Sequence, residues 1–378
     1  MKRVKNAVRG VIVLAFAVAL RLGFTQQEAK AYDALASGNT ITMSPTEDTD
    51  LETWYQFTAP SNGSFVVSFV NTTIGGNGSG ECYIYNSSNE KLDYYTSAKN
   101  WTSDTISAAA GQVYYVKVKI CDYWYDNVFG LTLTFKASDV WETENNDTTA
   151  GANALTSGVV RYGTFNDNDS EDYYSFNLSN DSSVAITVGP TTVGSHSSRL
   201  LTLYSSDNVE KSLGSSSTEE TYSGYLSVGT YYIKVSGSSN WGDEDIYKIS
   251  YSASKYTIPK ATIKKIKTGK KRKSLSGTYY RYIGKILLKG SYDVAGYTVK
   301  YSKNKKFKNA IYNSDQDLGT STYSDTKTTI RRFTSTYEKA GKNKKKAKKY
   351  YFAVRCYVYD MFGEKMYGSW SKTKTVKL

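Results

Sequence analysis

The alternation of apolar and polar positions along this chain shows almost no helical period. Segments such as GSFVVSFV (63–70), VYYVKVKI (113–120), SVAITV (183–188), TYYIKVSG (230–237) and KYYFAVRCYVY (349–359) either alternate every two residues or run as short β-branched and aromatic stretches, with Gly, Ser, Asn and Asp between them. A period of two sends successive side chains to opposite faces of a sheet, so these segments predict strands. The expected class is all-β, built as three tandem β-sandwich domains behind an N-terminal leader.

Two of the expected sandwiches are related by an internal repeat. TWYQFTAPSNGSFVVSF (53–69) aligns with DYYSFNLSNDSSVAITV (172–188), YIYNSSNEK (83–91) with LTLYSSDNVEK (201–211), and GQVYYVKV (111–118) with GTYYIKV (229–235). Three matches in one order at a spacing of almost 120 residues predict two copies of one unit, over 32–137 and 138–254. In each copy a turn glycine precedes a Tyr-Tyr strand, so one tyrosine of the pair should face the core and the other the solvent.

Beyond residue 252 the composition changes. Residues 253–378 hold 32 Lys and Arg against 7 Asp and Glu, whereas residues 32–252 hold 10 against 27. The overall balance of +13 therefore joins an acidic body to a strongly basic third unit over 258–378. The basic runs IKKIKTGKKRKS (263–274) and GKNKKKAKKYY (341–351) would draw any polyanion in a salt-dependent way, although lysines on edge strands also serve solubility.

The first residues change the picture again. Basic positions precede an apolar run from Gly10 to Leu20, and Ala29-Lys30-Ala31 offers a small-x-small cleavage site, the layout of a secretory signal peptide over 1–31. The apolar run is about half of the roughly 20 residues that span a bilayer, which disfavours a membrane anchor. Secretion turns the polyanion expectation away from nucleic acid and toward a cell-wall polymer. Three cysteines are too few for a disulfide framework; Cys82 and Cys121 fall in one unit, where a bridge and buried free thiols are both open, and Cys356 has no partner in its own unit.

The seam between the repeats, WETENNDTTAGANAL (141–155), concentrates oxygen-bearing side chains. Together with GTFNDNDSEDYYSFNL (163–178), GTYYIKVSG and YKISY, it makes residues 142–251 resemble the bacterial pre-peptidase C-terminal domain, a β-sandwich related to the collagen-binding domains of clostridial collagenases. The resemblance implies a calcium site formed by Glu142, Glu144, Asn146 and Asp147 in the opening with Asp169 and Asp172 in the following loop. Calcium takes six to eight oxygen ligands, which such side chains supply. The same residue types also serve as turn formers in a polar linker. Asp48, Asp50 and Glu52 of the first repeat have no partner segment and make a poor site.

In the basic unit, AGYTVKYSKNKKFKNA (295–310), KKYYFAVRCYVYD (348–360) and MYGSWSKTKTVKL (366–378) resemble the fibronectin type III domains of Gram-positive surface proteins. The early strand GKILLKG (284–290) lacks that family's tryptophan, so Trp370 is expected to fill the core from the last strand instead. Such domains bind many different partners, so the likeness implies a fold and no ligand.

Catalytic chemistry finds little support. The single histidine, His196, lies in a Ser-rich loop; no His-Glu-x-x-His, Gly-x-Ser-x-Gly or phosphate-loop motif occurs. Glu142 with Glu144, and Asp243 with Asp245, are acid pairs that a glycosidase would need, but in Asn- and Gly-rich loops they read as turns or cation ligands. Surface aromatics are more informative, because 35 Tyr and 6 Trp exceed what small cores require. Trp101, Tyr123, Trp124 and Trp241 are expected in loops, where they either grip protein or carbohydrate or cap the sandwich ends. The resulting expectation is a secreted or cell-surface non-catalytic binding and adhesion protein, with an accessory module of a secreted peptidase as the alternative. N-terminal sequencing of the secreted protein should read Tyr32 first; a chain retaining residues 1–31 would refute the leader.

Overall fold

The computed structural model describes residues 32–45, 51–120, 126–165, 170–191, 198–237, 246–269, 272–273, 275, 279–289, 293–313, 329–331, 337–340 and 348–377. The chain is all-β: every regular element among these residues is a strand, and the strands form six sheets. The sheets enclose three separate clusters of buried apolar side chains, one in each third of the chain.

The first pair of sheets shows how the sequence period becomes a layer. Leu51–Thr58 pairs antiparallel with Val113–Ile120, which pairs with Gly80–Asn86, which pairs in turn with Lys91–Ala98. The facing sheet runs Thr40–Met43, Phe129–Ala137, Gly63–Asn71. Along Val113–Ile120 every second residue is buried, namely Tyr114, Val116, Val118 and Ile120, and these meet Phe65, Val67, Phe69, Phe129 and Leu131 from the other sheet. Burying a large side chain in this way contributes about 1.5–3 kcal/mol each.

The second unit repeats the first strand for strand. Asn153–Ala154, Glu171–Leu178, Gly229–Ser236, Arg199–Ser205 and Glu210–Ser216 take the same order as Asp33–Ala34, Leu51–Thr58, Val113–Ile120, Gly80–Asn86 and Lys91–Ala98. Facing them, Arg161–Thr164, Ile246–Lys255, Ser182–Pro190 and Glu220–Leu226 match the other sheet of the first unit. Even the entry turns coincide. The Leu35 N–H donates to Gln56 O and that of Leu155 to Ser175 O, both at 2.8 Å, and Gly38 and Gly158 follow with φ of 81° and 79°. The Tyr-Tyr strands split as the alternation requires: Tyr114 and Tyr231 are buried, while Tyr115 and Tyr232 are half-exposed.

The basic unit pairs the sheet of Ile263–Thr268 and Tyr279–Leu288 with the sheet of Gly296–Ser302, Lys349–Tyr359, Lys365–Tyr367 and Lys374–Lys377. Its core is made by Tyr297, Tyr301, Tyr350, Phe352, Val354 and Met366. Trp370 does not fill it, contrary to the sequence expectation. Ser371 sits back on Val354, its N–H donating to Val354 O at 2.7 Å, and the indole lies on the outer face of the sheet among cationic side chains. Cys82 and Cys356 are buried free thiols, so no bridge involves Cys82; Cys121 lies outside the described residues.

A left-handed φ penalises any residue with a Cβ by about 1–2 kcal/mol. Gly38 and Gly158 have open space around a would-be Cβ, so strain alone acts there. Gly38→Ala and Gly158→Ala should therefore each destabilise by about 1 kcal/mol in denaturant titrations, and by similar amounts; a substitution that costs nothing at either position would contradict the shared turn.

Candidate functional site

The seam segment enters the second unit as a parallel partner of Arg161–Thr164. The Glu142 N–H donates to Tyr162 O at 2.9 Å, and the Asn153 side chain holds Thr143 at both its N–H and its carbonyl. This register carries Glu142 inward, where it is 1% exposed, beside Asn146 and Asp172, each fully buried. Carboxylate oxygens of Glu142, Glu144 and Asp172 lie within 4.8 Å of one another. Gly163 forms part of the wall: a Cβ there would meet the Tyr247 hydroxyl at 2.4 Å and Glu142 Oε2 at 2.6 Å, so glycine is required for this approach.

Two buried tyrosines complete the cluster. Tyr174 donates its O–H to Glu142 Oε2 at 2.8 Å, Tyr247 donates to Asp172 Oδ2 at 2.5 Å, and the two hydroxyl oxygens are 2.8 Å apart. When both carboxyls are ionised, three oxygen–oxygen contacts in series share two protons. A third positive charge, either a proton on one carboxyl or a cation among them, relieves the deficit. Glu142 Oε1 also accepts from the Thr164 N–H at 2.5 Å and from its hydroxyl at 3.1 Å. These hydrogen bonds favour the carboxylate, yet desolvation outweighs them and pushes the Glu142 pKa up to about 7. Arg199, also buried, rests its guanidinium 5.9 Å from the Tyr247 ring centroid.

The residues fit a hard cation. The donors are all oxygens, and the side-chain carbonyl Oδ1 of Asn146 is buried with no hydrogen bond. A buried amide oxygen beside clustered carboxylates is what a calcium ion would satisfy, and a chain without one would have to protonate. Glu142, Glu144 and Asp172, with Asn146, are the residues that would hold it.

The expected ligand set is otherwise narrowed. Asp147 is exposed, lies outside the Glu142, Glu144 and Asp172 group, and with Glu144, Glu90, Asp93 and Asp104 lines a cleft of about 190 Å³ between the first two units. Its place in the chain is set by Asn146, whose carbonyl accepts from the Tyr173 N–H at 2.8 Å and turns the next side chain away. Partial burial, with the charges of Glu90 and Glu171, raises the Asp147 pKa. Asp169 lies outside the described residues, as do His196, Asp243 and Asp245. Tyr174, Tyr247 and Gly163 were missed from the sequence. Tyr174 carried a signal, since it is the inward member of a Tyr-Tyr pair two residues after Asp172; nothing in the sequence joins Tyr247 to it. Among its described residues the first unit has no such site, because Thr53 and Phe129 stand where the second has Asp172 and Tyr247, and Glu52 pairs outward with Lys117 at 3.1 Å; Asp48 and Asp50 lie outside the described residues.

Of the aromatics expected in loops, Tyr123, Trp124 and Trp241 lie outside the described residues. Trp101 is in a strand, Asn100–Thr102, opposite Phe69 and packed against the first core, because its pairing with the edge of Gly63–Asn71 turns the ring inward. Half-exposed aromatics lie on sheet faces instead. On the outer face of the first unit Tyr32, Trp54, Tyr85, Tyr83 and Tyr94 form a row with ring centroids 5.4–6.1 Å apart at Tyr32–Trp54, Trp54–Tyr85 and Tyr83–Tyr94, and 6.3 Å apart at Tyr83–Tyr85. The second unit keeps part of this face: Tyr173 and Tyr204 stand where the first has Trp54 and Tyr85, and the Lys234–Glu171 pair repeats Lys117–Glu52.

No family model matches the chain, and no curated protein matches it. Among solved structures, the extracellular domain of ANXUR1 from Arabidopsis thaliana aligns at 10% identity over 58% of this chain and 90% of its own, with a TM-score of 0.19. The extracellular domain of ANXUR2 from the same plant aligns at 8% over 58% and 88%, with a TM-score of 0.18. A β-glucosidase from Kluyveromyces marxianus aligns at 12% over 65% and 42%, with a TM-score of 0.19. Overlaps at that level carry no conclusion about fold or activity.

Because the folded-state pKa of Glu142 lies above its ordinary value of 4.5, the stability contributed by the protonated carboxyl is complete below about 4.5 and is lost as the pH rises through about 7. In chelator the second unit should therefore melt roughly 5 °C or more higher at pH 5 than at pH 8. Excess calcium should raise the melting temperature most at pH 8, and Glu142→Gln should remove both responses. Calorimetry showing the same melting temperature at both pH values, with and without calcium, would rule out this account of the site.

Proposed function

We propose that the chain is a secreted or cell-surface, non-catalytic binding protein, whose basic third unit rests on a cell-wall polyanion while the acidic repeats present ligand-binding faces outward. The observation that carries this reading is the pair of matched outer faces. Solvent-facing positions need not agree between two repeats for the cores to pack, yet Trp54 and Tyr173, Tyr85 and Tyr204, Tyr115 and Tyr232, and the Lys117–Glu52 and Lys234–Glu171 pairs recur in register. Half-exposed aromatics held on rigid strands offer stacking area to sugar rings or extended polypeptide with little entropy left to lose.

The buried cluster supports a structural role for calcium in the same proposal. Glu142 and Asp172 are buried behind Tyr174, Tyr247 and Thr164, while Glu144 reaches the cleft between the first two units. Glu144 also joins the units, since the Gln112 side chain donates from Nε2 to Glu144 O at 3.2 Å. An ion held by Glu142, Glu144 and Asp172 would thus stiffen the seam and fix how the two outer faces are presented. No helix among the described residues is long and apolar enough to cross a membrane.

Two measurements on the full mature chain test the proposal. On washed cells the protein should be retained at low salt and released at roughly 0.5–1 M salt, where screening lengths fall to a few ångströms; recovery wholly in the medium would defeat the envelope half. Trp54→Ala with Tyr173→Ala should weaken binding to an immobilised polysaccharide or fibrous protein by tenfold or more with little change in melting temperature. Unchanged binding to every ligand that the parent retains would defeat the outward-face half.

A further inference from the structure

Strand Lys349–Tyr359 sends alternate side chains to opposite faces of its sheet, with Ala353 and Tyr357 buried on the outer one. Tyr350, Phe352, Val354, Cys356 and Val358 are buried in the core, so Tyr351, Ala353 and Arg355 face the other side of the sheet, where Gly296–Ser302 brings Lys300 opposite Ala353 and Thr298 opposite Arg355. A row of alternating rings and cations runs across this outer face. Lys300 Nζ is 4.6 Å from the Phe307 ring centroid and 4.1 Å from that of Trp370, and the Arg355 guanidinium carbon is 4.7 Å from Trp370 and 3.5 Å from Tyr367. The row continues toward the sheet edge, where Lys365 Nζ lies 4.7 Å from the Tyr357 ring.

Lys300 and Arg355 have no carboxylate partner among the described residues, and Arg355 Nε is buried with no hydrogen bond. Burial and, to a lesser extent, the nearby charge of Arg355 pull the Lys300 pKa down. Ring faces engage the flat side of a guanidinium, while its N–H donors point outward in its own plane as a fork that fits tetrahedral oxyanions.

We propose that the outer face of this sheet is a binding site for phosphate groups carried on an extended polymer, with Lys300 and Arg355 as the two anion-holding groups and Trp370 as the spacer that sets them apart. The site rests on the reading of the basic unit as a polyanion-binding module and narrows it from diffuse attraction to one face. A phosphodiester chain suits the arrangement better than a neutral glycan, which would cover both cations without neutralising them. Trp370 is contacted by both cations, so it acts as a positioning residue and is not itself free to stack on a sugar.

The test titrates the full mature chain with poly(glycerol phosphate), reading affinity at fixed salt and the Arg355 Nε–H resonance. The parent should bind, with that resonance shifting as polymer is added. Lys300→Gln with Arg355→Gln should lose tenfold or more in affinity, whereas Lys264→Gln with Lys265→Gln, exposed lysines on the facing sheet, should lose no more than about threefold for the same charge removed. Arg355→Lys keeps the charge and removes the fork, so it should lie between the two. Equal losses for the two double variants, or an unmoved Arg355 resonance in the bound parent, would overturn the face while leaving the polyanion reading intact. Failure of the parent to bind would bring down both, and tighter binding to duplex DNA than to the polymer would overturn the choice of partner. The resonance settles the outcome even if a glutamine variant fails to fold.

Discussion

The structure depends on the two-residue alternation of its strands and on the closure of one face of each sheet against another. Once Tyr114, Val116, Val118 and Ile120 turn inward against Phe65, Phe69 and Phe129, the residues between them have nowhere to go but outward. The same constraint places Tyr115 and Lys117 on one surface, Tyr232 and Lys234 on the corresponding surface of the second unit, and Arg355 beneath its aromatic row in the third. Core packing thus fixes the geometry of the outer faces without using any of their chemistry. Rigid strands then hold aromatic and charged groups at set spacings, which flexible loops would not.

In the acidic cluster the inward face carries buried carboxyls. Asp172 and Tyr247 occupy positions that the first unit fills with Thr53 and Phe129, Tyr174 corresponds to Tyr55, and Gly163 lets Tyr247 and Glu142 approach. Burial raises the free energy of each ionised carboxylate, and hydrogen bonds from Thr164, Tyr174 and Tyr247 recover only part of it. The remaining deficit links folding, protonation and cation binding at a single point, close to where Gln112 of the first unit meets Glu144. What stabilises the second unit therefore also bears on how the two repeats are held together.

The third unit shows the opposite balance. Its core is aromatic and aliphatic, but its outer face holds Lys300 and Arg355 on ring faces, in no ion pair among the described residues. Met361 joins it to the second unit, donating its N–H to Tyr225 O at 2.9 Å, and Phe362 stacks on Tyr231 with centroids 6.2 Å apart. The acidic and basic parts of the chain are in direct contact along this hairpin and are not merely strung together.

The all-β class, the internal repeat, the inward and outward split of each Tyr-Tyr pair and the separation of charge were all legible in the sequence, because period-two patterning and composition are local properties of the chain. The acidic opening was legible as a cluster too, and Glu142, Glu144, Asn146 and Asp172 do meet. Its true membership was not, because Tyr247 comes 75 residues after Asp172 and reaches it only when two sheets pack face to face. Trp370 failed for the same reason. Its hydrophobicity predicted a core position, but the hydrogen bonds of Ser371 to Val354 fix the local backbone, and the cations of two neighbouring strands hold the indole outside. The sequence by itself determined which residues alternate and which segments pair as repeats; the tertiary structure decided which distant side chains share a face, since that depends on strand order and sheet packing, which no local pattern encodes.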